Sequence, residues 1–227
     1  MTRQWLVHFI RDEVQRRRGF SHAVIGLSGG VDSALVAFLA AEALGPDQVT
    51  AIRMPHQRSS VDSLAHAQLV IDGLGIRSET IDITAAVDGL ATTIGDAPSP
   101  ARLGNIMARM RMIALFDRSA ALGALPLGTG NKTERLFGYF TWHADDAPPV
   151  NPIGDLFKTQ VWALARHLGV PAAIVDKPAT ADLVDGQTDE GDFGISYARA
   201  DAILHWLLSG YPVESIGQAG FSTKEKD

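Results

Sequence analysis

Ser28-Gly29-Gly30-Val31-Asp32-Ser33 places two hydroxyls, two glycines and a carboxylate within six residues. Glycines let a backbone turn through positive φ and bring N–H groups against a ligand, and serine hydroxyls add donors. The apolar run from Ser33 to Leu44 reads as a buried helix stopped by Gly45-Pro46, so its positive N-terminal end faces the same spot. A phosphate fits there. Neither the lysine of a Walker loop nor the GxGxxG pattern is present, which makes this a different kind of phosphate loop. Asp32 would repel a phosphate unless a divalent cation lay between them, which points to Mg²⁺ carried with a nucleotide. The same residues could also form only a capped first turn of a helix.

The elements that must position this loop alternate along the chain. Val24 to Leu27, Val49 to Met54, Ile76 to Ile83 and Leu125 to Leu127 have the character of strands. Val61 to Leu74, Arg102 to Leu122, Leu156 to Leu168 and Ser196 to Leu208 have that of helices. Such alternation predicts an α/β fold with one doubly wound, mostly parallel sheet, helices on both faces and ligands at the carboxyl ends of the strands. The glycine loop falls at such an end, and Leu125-Pro126-Leu127 enters a second turn, Gly128-Thr129-Gly130-Asn131-Lys132. The chain of 227 residues, 46% hydrophobic, suits a single domain over 1–227. "DLVDGQTDEGDFG" is glycine-rich and acidic and reads as a mobile loop, with Asp185 to Gly194 as a candidate lid.

Composition removes several classes. With no cysteine, disulfides, thiolate zinc sites, cysteine nucleophiles and persulfide carriers are excluded. A formal net charge of -6 argues against nucleic acid as a partner. No run approaches the roughly 18 apolar residues of a membrane helix, and the charged N-terminal stretch is unlike a secretion signal. A cytoplasmic protein without a membrane partner is expected. The seven histidines show no metal-ligand spacing, and Arg16-Arg17-Arg18 reads as the cationic end of a first helix.

Ser28 to Ser33 resembles the SGGxDS signature of the ATP-pyrophosphatase superfamily, whose fold is adenine nucleotide alpha hydrolase-like and which cleaves ATP between the α and β phosphates. "LGTGNKTERLFGYFT", "NPIGDLFKTQVWALARHLGVP" and "GQTDEGDFGISY" resemble, in order and spacing, the ammonia-dependent NAD synthetases. The resemblance covers about residues 20 to 205 and lacks a glutaminase domain, which implies free ammonia as nitrogen source. It implies that Ser28, Gly29, Gly30, Asp32, Ser33, Thr129, Lys158 and Thr180 contact ATP, that Asp32 and Glu134 hold Mg²⁺, and that Asp32 and Lys158 serve catalysis. Taken singly, Glu134 and Lys158 could be solvated helix charges, and Thr129 and Thr180 caps. Arg109 matches an arginine used on the dinucleotide substrate, with Arg102 seven residues earlier on the same helical face. It could equally balance the acidic surface. A homodimer is implied as well.

The implied chemistry is adenylation of the deamido-NAD carboxylate followed by amidation, releasing AMP and pyrophosphate. One stretch departs from the family. After Gly138-Tyr139-Phe140-Thr141 the family continues Lys-Tyr-Gly-Asp-Gly-Gly and an aspartate, whereas here Trp142 and Pro149 occupy the places of the lysine and the aspartate that contact deamido-NAD. An indole cannot neutralise a phosphate, and proline's side chain accepts no hydrogen bond. The family's final His-Lys-Arg segment has no counterpart in "GFSTKEKD". Three readings stand: an NAD synthetase that holds deamido-NAD by other residues, a relative amidating a less negative carboxylic acid, or an adenine-nucleotide binder without turnover.

Overall fold

The computed structural model describes residues 1–180 and 188–218. Four strands, β1 (His22–Gly26), β2 (Val49–Arg53), β3 (Arg77–Thr80) and β4 (Ala124–Leu127), pair in parallel in the order β3-β2-β1-β4. Register sets Ile25 beside Ala51 on one side and Leu127 on the other. Along the chain the helices are α1 (Thr2–Arg11), α2 (Val31–Leu44), α3 (Val61–Leu74), α4 (Thr84–Ile94), α5 (Pro100–Leu122) and α6 (Lys132–Phe137). They continue with α7 (Lys158–Leu168), α8 (Ala172–Val175), α9 (Asp189–Phe193), α10 (Tyr197–Leu208) and α11 (Val213–Gln218).

A parallel sheet must be covered on both faces, and its central strand shows it: Ala23, Val24 and Ile25 are fully buried. One face carries α1, α2 and α7 over a core running from Leu6 to Val175. α2 is apolar all round because it is enclosed, with Ala34, Leu35, Val36 and Leu39 out of contact with water. The opposite face holds α5, whose Leu115 packs with Val24 and Ile52. Met107 of the same helix meets Ile83 and Val87 beside α4. The α/β architecture with parallel strands thus stands as the alternation predicts.

Two local expectations change. The strand read up to Ile83 ends at Thr80, and Ile83 instead enters α4, because β3 is an edge strand with exposed side chains and Ile83 belongs to a helix packing site. The lid expectation over Asp185 to Gly194 lies partly outside the described residues, from 185 to 187. Its remainder is the helix α9, capped by Thr188 Oγ1, which accepts the Gly191 N–H at 3.2 Å. Phe193 anchors that helix by stacking on Phe137 at 4.7 Å between centroids. Arg16, Arg17 and Arg18 follow α1 in a wide helical turn, Asp12–Arg17, where Asp12 and Glu13 pair with them. Arg16 and Arg17 stand in the last turn of this segment and Arg18 at its cap, the cationic end expected, with local carboxylates paired to them as well.

Among the described residues no helix is long and apolar enough to cross a membrane.

Candidate functional site

β1 ends at Gly26, and the chain turns through residues 27–30 before α2 begins at Val31. Gly29 holds φ +82°, and a Cβ there would lie 2.1 Å from the Ser63 carbonyl oxygen at the start of α3. Both the left-handed turn and the contact with α3 require glycine. Ser33 braces the loop from inside: its Oγ donates to the Gly30 carbonyl at 3.0 Å and accepts the Ser28 N–H at 3.3 Å. The Gly30 N–H bonds Ser28 Oγ at 3.2 Å. In this state the two hydroxyls hold the loop's shape, a use that sequence alone does not separate from ligand binding. Gly30 at the N-cap supplies no side-chain cap, so the first amides of α2 stay available to an acceptor.

A charged cluster faces this loop. Asn131, fully buried, opens α6 as a capping box: its Oδ1 accepts the Glu134 N–H and Glu134 Oε2 accepts the Asn131 N–H, both at 3.0 Å. The same asparagine donates Nδ2–H to Asp32 Oδ1 at 3.0 Å. Lys158, the first residue of α7 and 2% exposed, sets Nζ 2.6 Å from Asp32 Oδ2 and 3.4 Å from Glu134 Oε1. Neither Lys158 nor Glu134 is a solvated helix charge. Burial, and then the Asp32 carboxylate, push the Glu134 pKa up to about 7. Burial works against the Lys158 ammonium, but the Asp32 and Glu134 carboxylates outweigh it and raise its pKa. Two carboxylates around one ammonium offer hard oxygen donors, a setting suited to a divalent cation, whose charge would favour ionised Glu134.

The cluster is held from behind by Asp201 of α10, 4% exposed. Its Oδ1 accepts from Thr133 Oγ1 at 2.6 Å and its Oδ2 from the Thr159 N–H at 2.8 Å. Thr133 Oγ1 in turn accepts the Lys158 N–H at 3.0 Å. One carboxylate thereby ties the first turns of α6 and α7, which carry Glu134 and Lys158.

In front lies a cavity of about 340 Å³. Ser28, Gly30, Asp32, Ser33, Thr129, Glu134, Lys158 and Thr180 border it, so the structure brings together eight of the residues singled out from the sequence. Gly29 is turned away against α3. Arg109 is exposed and does not border the cavity, and Arg102 is engaged with Asp96 at 2.8 and 3.1 Å. Arg111 faces inward instead, donating Nε–H to the Met54 carbonyl at 3.1 Å. Its position was legible: Met107, Arg111 and Leu115 recur every four residues on the buried side of α5, whereas Arg109 is about 200° away from Arg111. Lys177, bonded to Ser63 Oγ at 3.3 Å, is a further cation at the cavity wall.

The divergent stretch forms the rim. Thr141, Ala144, Asp145 and Pro148 border the cavity, while Trp142 is 66% exposed and Pro149 is exposed. Asp145 Oδ1 accepts the Thr141 N–H at 3.0 Å and Asp146 Oδ1 the Ala144 N–H at 3.1 Å, so the rim's aspartates fold it locally. His143 between them holds φ +59°, an uncommon conformation for a side-chain-bearing residue.

A glycine loop at the carboxyl end of a parallel sheet, opposite a buried lysine and two carboxylates, defines a nucleotide-binding α/β protein of the adenine nucleotide alpha hydrolase-like kind. Residues 2–226 match the family described as NAD synthase, and the chain belongs to it. It is 55% identical over 203 residues to the NH3-dependent NAD+ synthetase of Chlorobaculum parvum, covering 89% of this chain and 73% of that protein. Among solved structures it resembles the NMN synthetase of Francisella tularensis, with TM-score 0.88, 32% identity and coverage of 99% of this chain and 88% of the other. The NH3-dependent NAD synthetase of Campylobacter jejuni, solved with a nitrate ion, matches with TM-score 0.83, 30% identity and the same coverage.

Proposed function

We propose that this chain is an ammonia-dependent NAD synthetase, a ligase that adenylates the carboxylate of deamido-NAD with ATP and then forms the amide with ammonia. The observation that carries this reading is Lys158 bridging Asp32 and Glu134 beside the Gly29 loop; the 55% identity to a protein of that name supports the substrate. Ser28, Gly29, Gly30 and Ser33 shape the loop that receives the ATP phosphates, and Thr129 and Thr180 border the remainder of the nucleotide. Asp32 and Glu134 would hold one Mg²⁺, completed by phosphate oxygens and water, and that ion would neutralise the departing pyrophosphate.

In the first step the acceptor carboxylate attacks the α-phosphorus and pyrophosphate leaves. Lys158 supplies a buried positive charge toward it, worth more here than in water. In the second step ammonia displaces AMP from the acyl adenylate. Closure of the site against water matters most at this point, because water would hydrolyse the same anhydride. Positioning and electrostatics are the enzyme's contribution.

A second acceptor has a specific observation behind it. The similar Francisella structure is named for NMN, and the corresponding acid, nicotinate mononucleotide, carries fewer phosphates than deamido-NAD. With Trp142 at the rim, one expected cationic contact is missing, so the less charged acid is the natural competitor. The deciding measurement is pyrophosphate release from ATP, Mg²⁺ and ammonia with each acid in turn. Dependence on deamido-NAD establishes the first reading, dependence on the mononucleotide the second, and ATP binding without release under either acid overturns both.

The whole chain, 1–227, is proposed as one domain, since the main core joins Leu6 to Val175. A homodimer is proposed from α5, which exposes Ile113 at 54% and Phe116 at 36%; a partner subunit there would also give exposed Arg109 a substrate to reach. A cytoplasmic location is proposed, in keeping with the supply of ATP there.

A further inference from the structure

Asp189, the first residue of α9, is 3% exposed, and its two carboxylate oxygens have unlike surroundings. Oδ2 accepts the Tyr197 hydroxyl at 2.7 Å. Among the described residues Oδ1 is buried with no hydrogen-bond partner, the nearby Tyr139 hydroxyl being given to Asp192 Oδ2 at 2.7 Å. A buried carboxylate oxygen without a donor is costly, so a water or a ligand has to supply one. Asp189 borders the cavity together with Glu134, Lys158 and Tyr139. Among the described residues, no group of three carboxylates or histidines stands close enough to share a metal ion. Around Asp189 stand rings: Tyr197 meets Phe193 edge-on at 5.4 Å and Trp162 at 5.6 Å, and Tyr139 meets Phe193 at 4.7 Å. The missing partner is therefore a small N–H or O–H donor in a corner lined by aromatic rings next to the charged cluster.

We propose that Asp189 Oδ1 is the docking point of the ammonia nucleophile. The proposal rests on the ligase chemistry above and adds the site for its third substrate. Ammonia donates one N–H to Oδ1 and keeps its lone pair free for the acyl carbon. As the C–N bond forms, one proton of the nitrogen passes to Oδ1. The C–O bond to the adenylate breaks, and its electron pair leaves on the phosphate oxygen of AMP. Asp189 then releases the proton to solvent, so one acyl adenylate and one ammonia give one amide, one AMP and one proton. The Tyr197 hydroxyl on Oδ2 fixes the carboxylate so that the free oxygen keeps its direction.

The test is Asp189→Asn in the full chain, with ammonium chloride as amine source and two readouts. Acid-dependent exchange of pyrophosphate into ATP without ammonia reports adenylation alone, and steady-state amide formation reports the whole reaction. The expected result is a KM for ammonium raised about ten- to hundredfold, as for loss of a hydrogen bond to a charged group, while exchange stays within about threefold of wild type. Hydroxylamine, neutral at the assay pH and a stronger nucleophile, should lose less than ammonia does. An unchanged KM for ammonium overturns the proposal, and so does an equal fall of exchange and amidation, which would make Asp189 a support for adenylation. Should Asp189→Asn not fold, Tyr197→Phe removes the hydroxyl that orients the carboxylate, and the same split between the two readouts is required of it. Absence of exchange in the wild type overturns the ligase reading, and the ammonia site with it.

Discussion

The phosphate-facing loop and the rim at residues 141–150 lie on the same cavity but obey different constraints. In the loop, backbone meets backbone: the Ser63 carbonyl occupies the place where any side chain on residue 29 would begin. In the rim, main-chain N–H groups are satisfied by Asp145 and Asp146, and the side chain of Trp142 stands in solvent. A loop whose shape is set by packing against a helix tolerates almost no change. A rim that folds on its own aspartates can exchange the side chains it offers to a guest. This difference accounts for a chain whose glycine-loop motif resembles its family's while the stretch at 142–149 departs from it.

The sharpest way to break this comparison is Gly29→Ala. The added methyl forces apart the loop and the start of α3, in addition to strain at φ +82°, and ATP-dependent pyrophosphate release should fall more than about a hundredfold. Full activity in that variant would show that the loop is not the phosphate seat. Next comes Lys158→Ala, which strands two partly buried carboxylates. About 3 kcal/mol or more of stability should be lost in EDTA, and millimolar Mg²⁺ should restore part of the melting temperature. Lack of any Mg²⁺ effect would argue against Asp32 and Glu134 as its ligands. Asp201→Asn weakens the tie between α6 and α7; loss of about 1–3 kcal/mol and a lower kcat with little change in the KM for ATP are expected by denaturation and steady-state kinetics.

Changes outside the cavity should be smaller. Phe116→Glu on the exposed face of α5 should shift a dimer to monomer in sedimentation without unfolding the subunit. Trp142→Lys should leave stability within about 0.5 kcal/mol yet raise kcat/KM for deamido-NAD relative to nicotinate mononucleotide. If it instead unfolds the protein, the rim is as constrained as the loop and the comparison fails.

Legibility in the sequence follows the same division. α3 runs from Val61 to Leu74 as its apolar period predicts, and α2 ends at Leu44 before Gly45-Pro46, because local pattern and tertiary burial agree there. The glycine loop was readable from residue types alone. The cluster was not: Asp32 is 99 residues from Asn131 and 126 from Lys158, and only the strand order brings them together. Motif resemblance supplied Glu134, Thr129 and Lys158; spacing could not. Asn131 did carry a local sign, since Asn-x-x-Glu is a capping box. Asp201 had none, as an aspartate on a helix reads as a surface charge until its partners are known, and Asp189 lay in an acidic stretch read as a loop. Arg109 was preferred over Arg111 although the period of α5 turns Arg111 inward. α4 was missed because Ile83 continued the alternation of the preceding strand.

Asp201 sets an order in time as well as a position in space. The residues that fix Glu134 and Lys158 precede it by 68 and 42 positions, and a chain emerging from the ribosome folds from its N-terminus. The sheet, the glycine loop and α2 can all assemble before α10 has been made, but the first turns of α6 and α7 acquire their common anchor only afterwards. A nascent chain can thus acquire its scaffold first and the common anchor of α6 and α7 last.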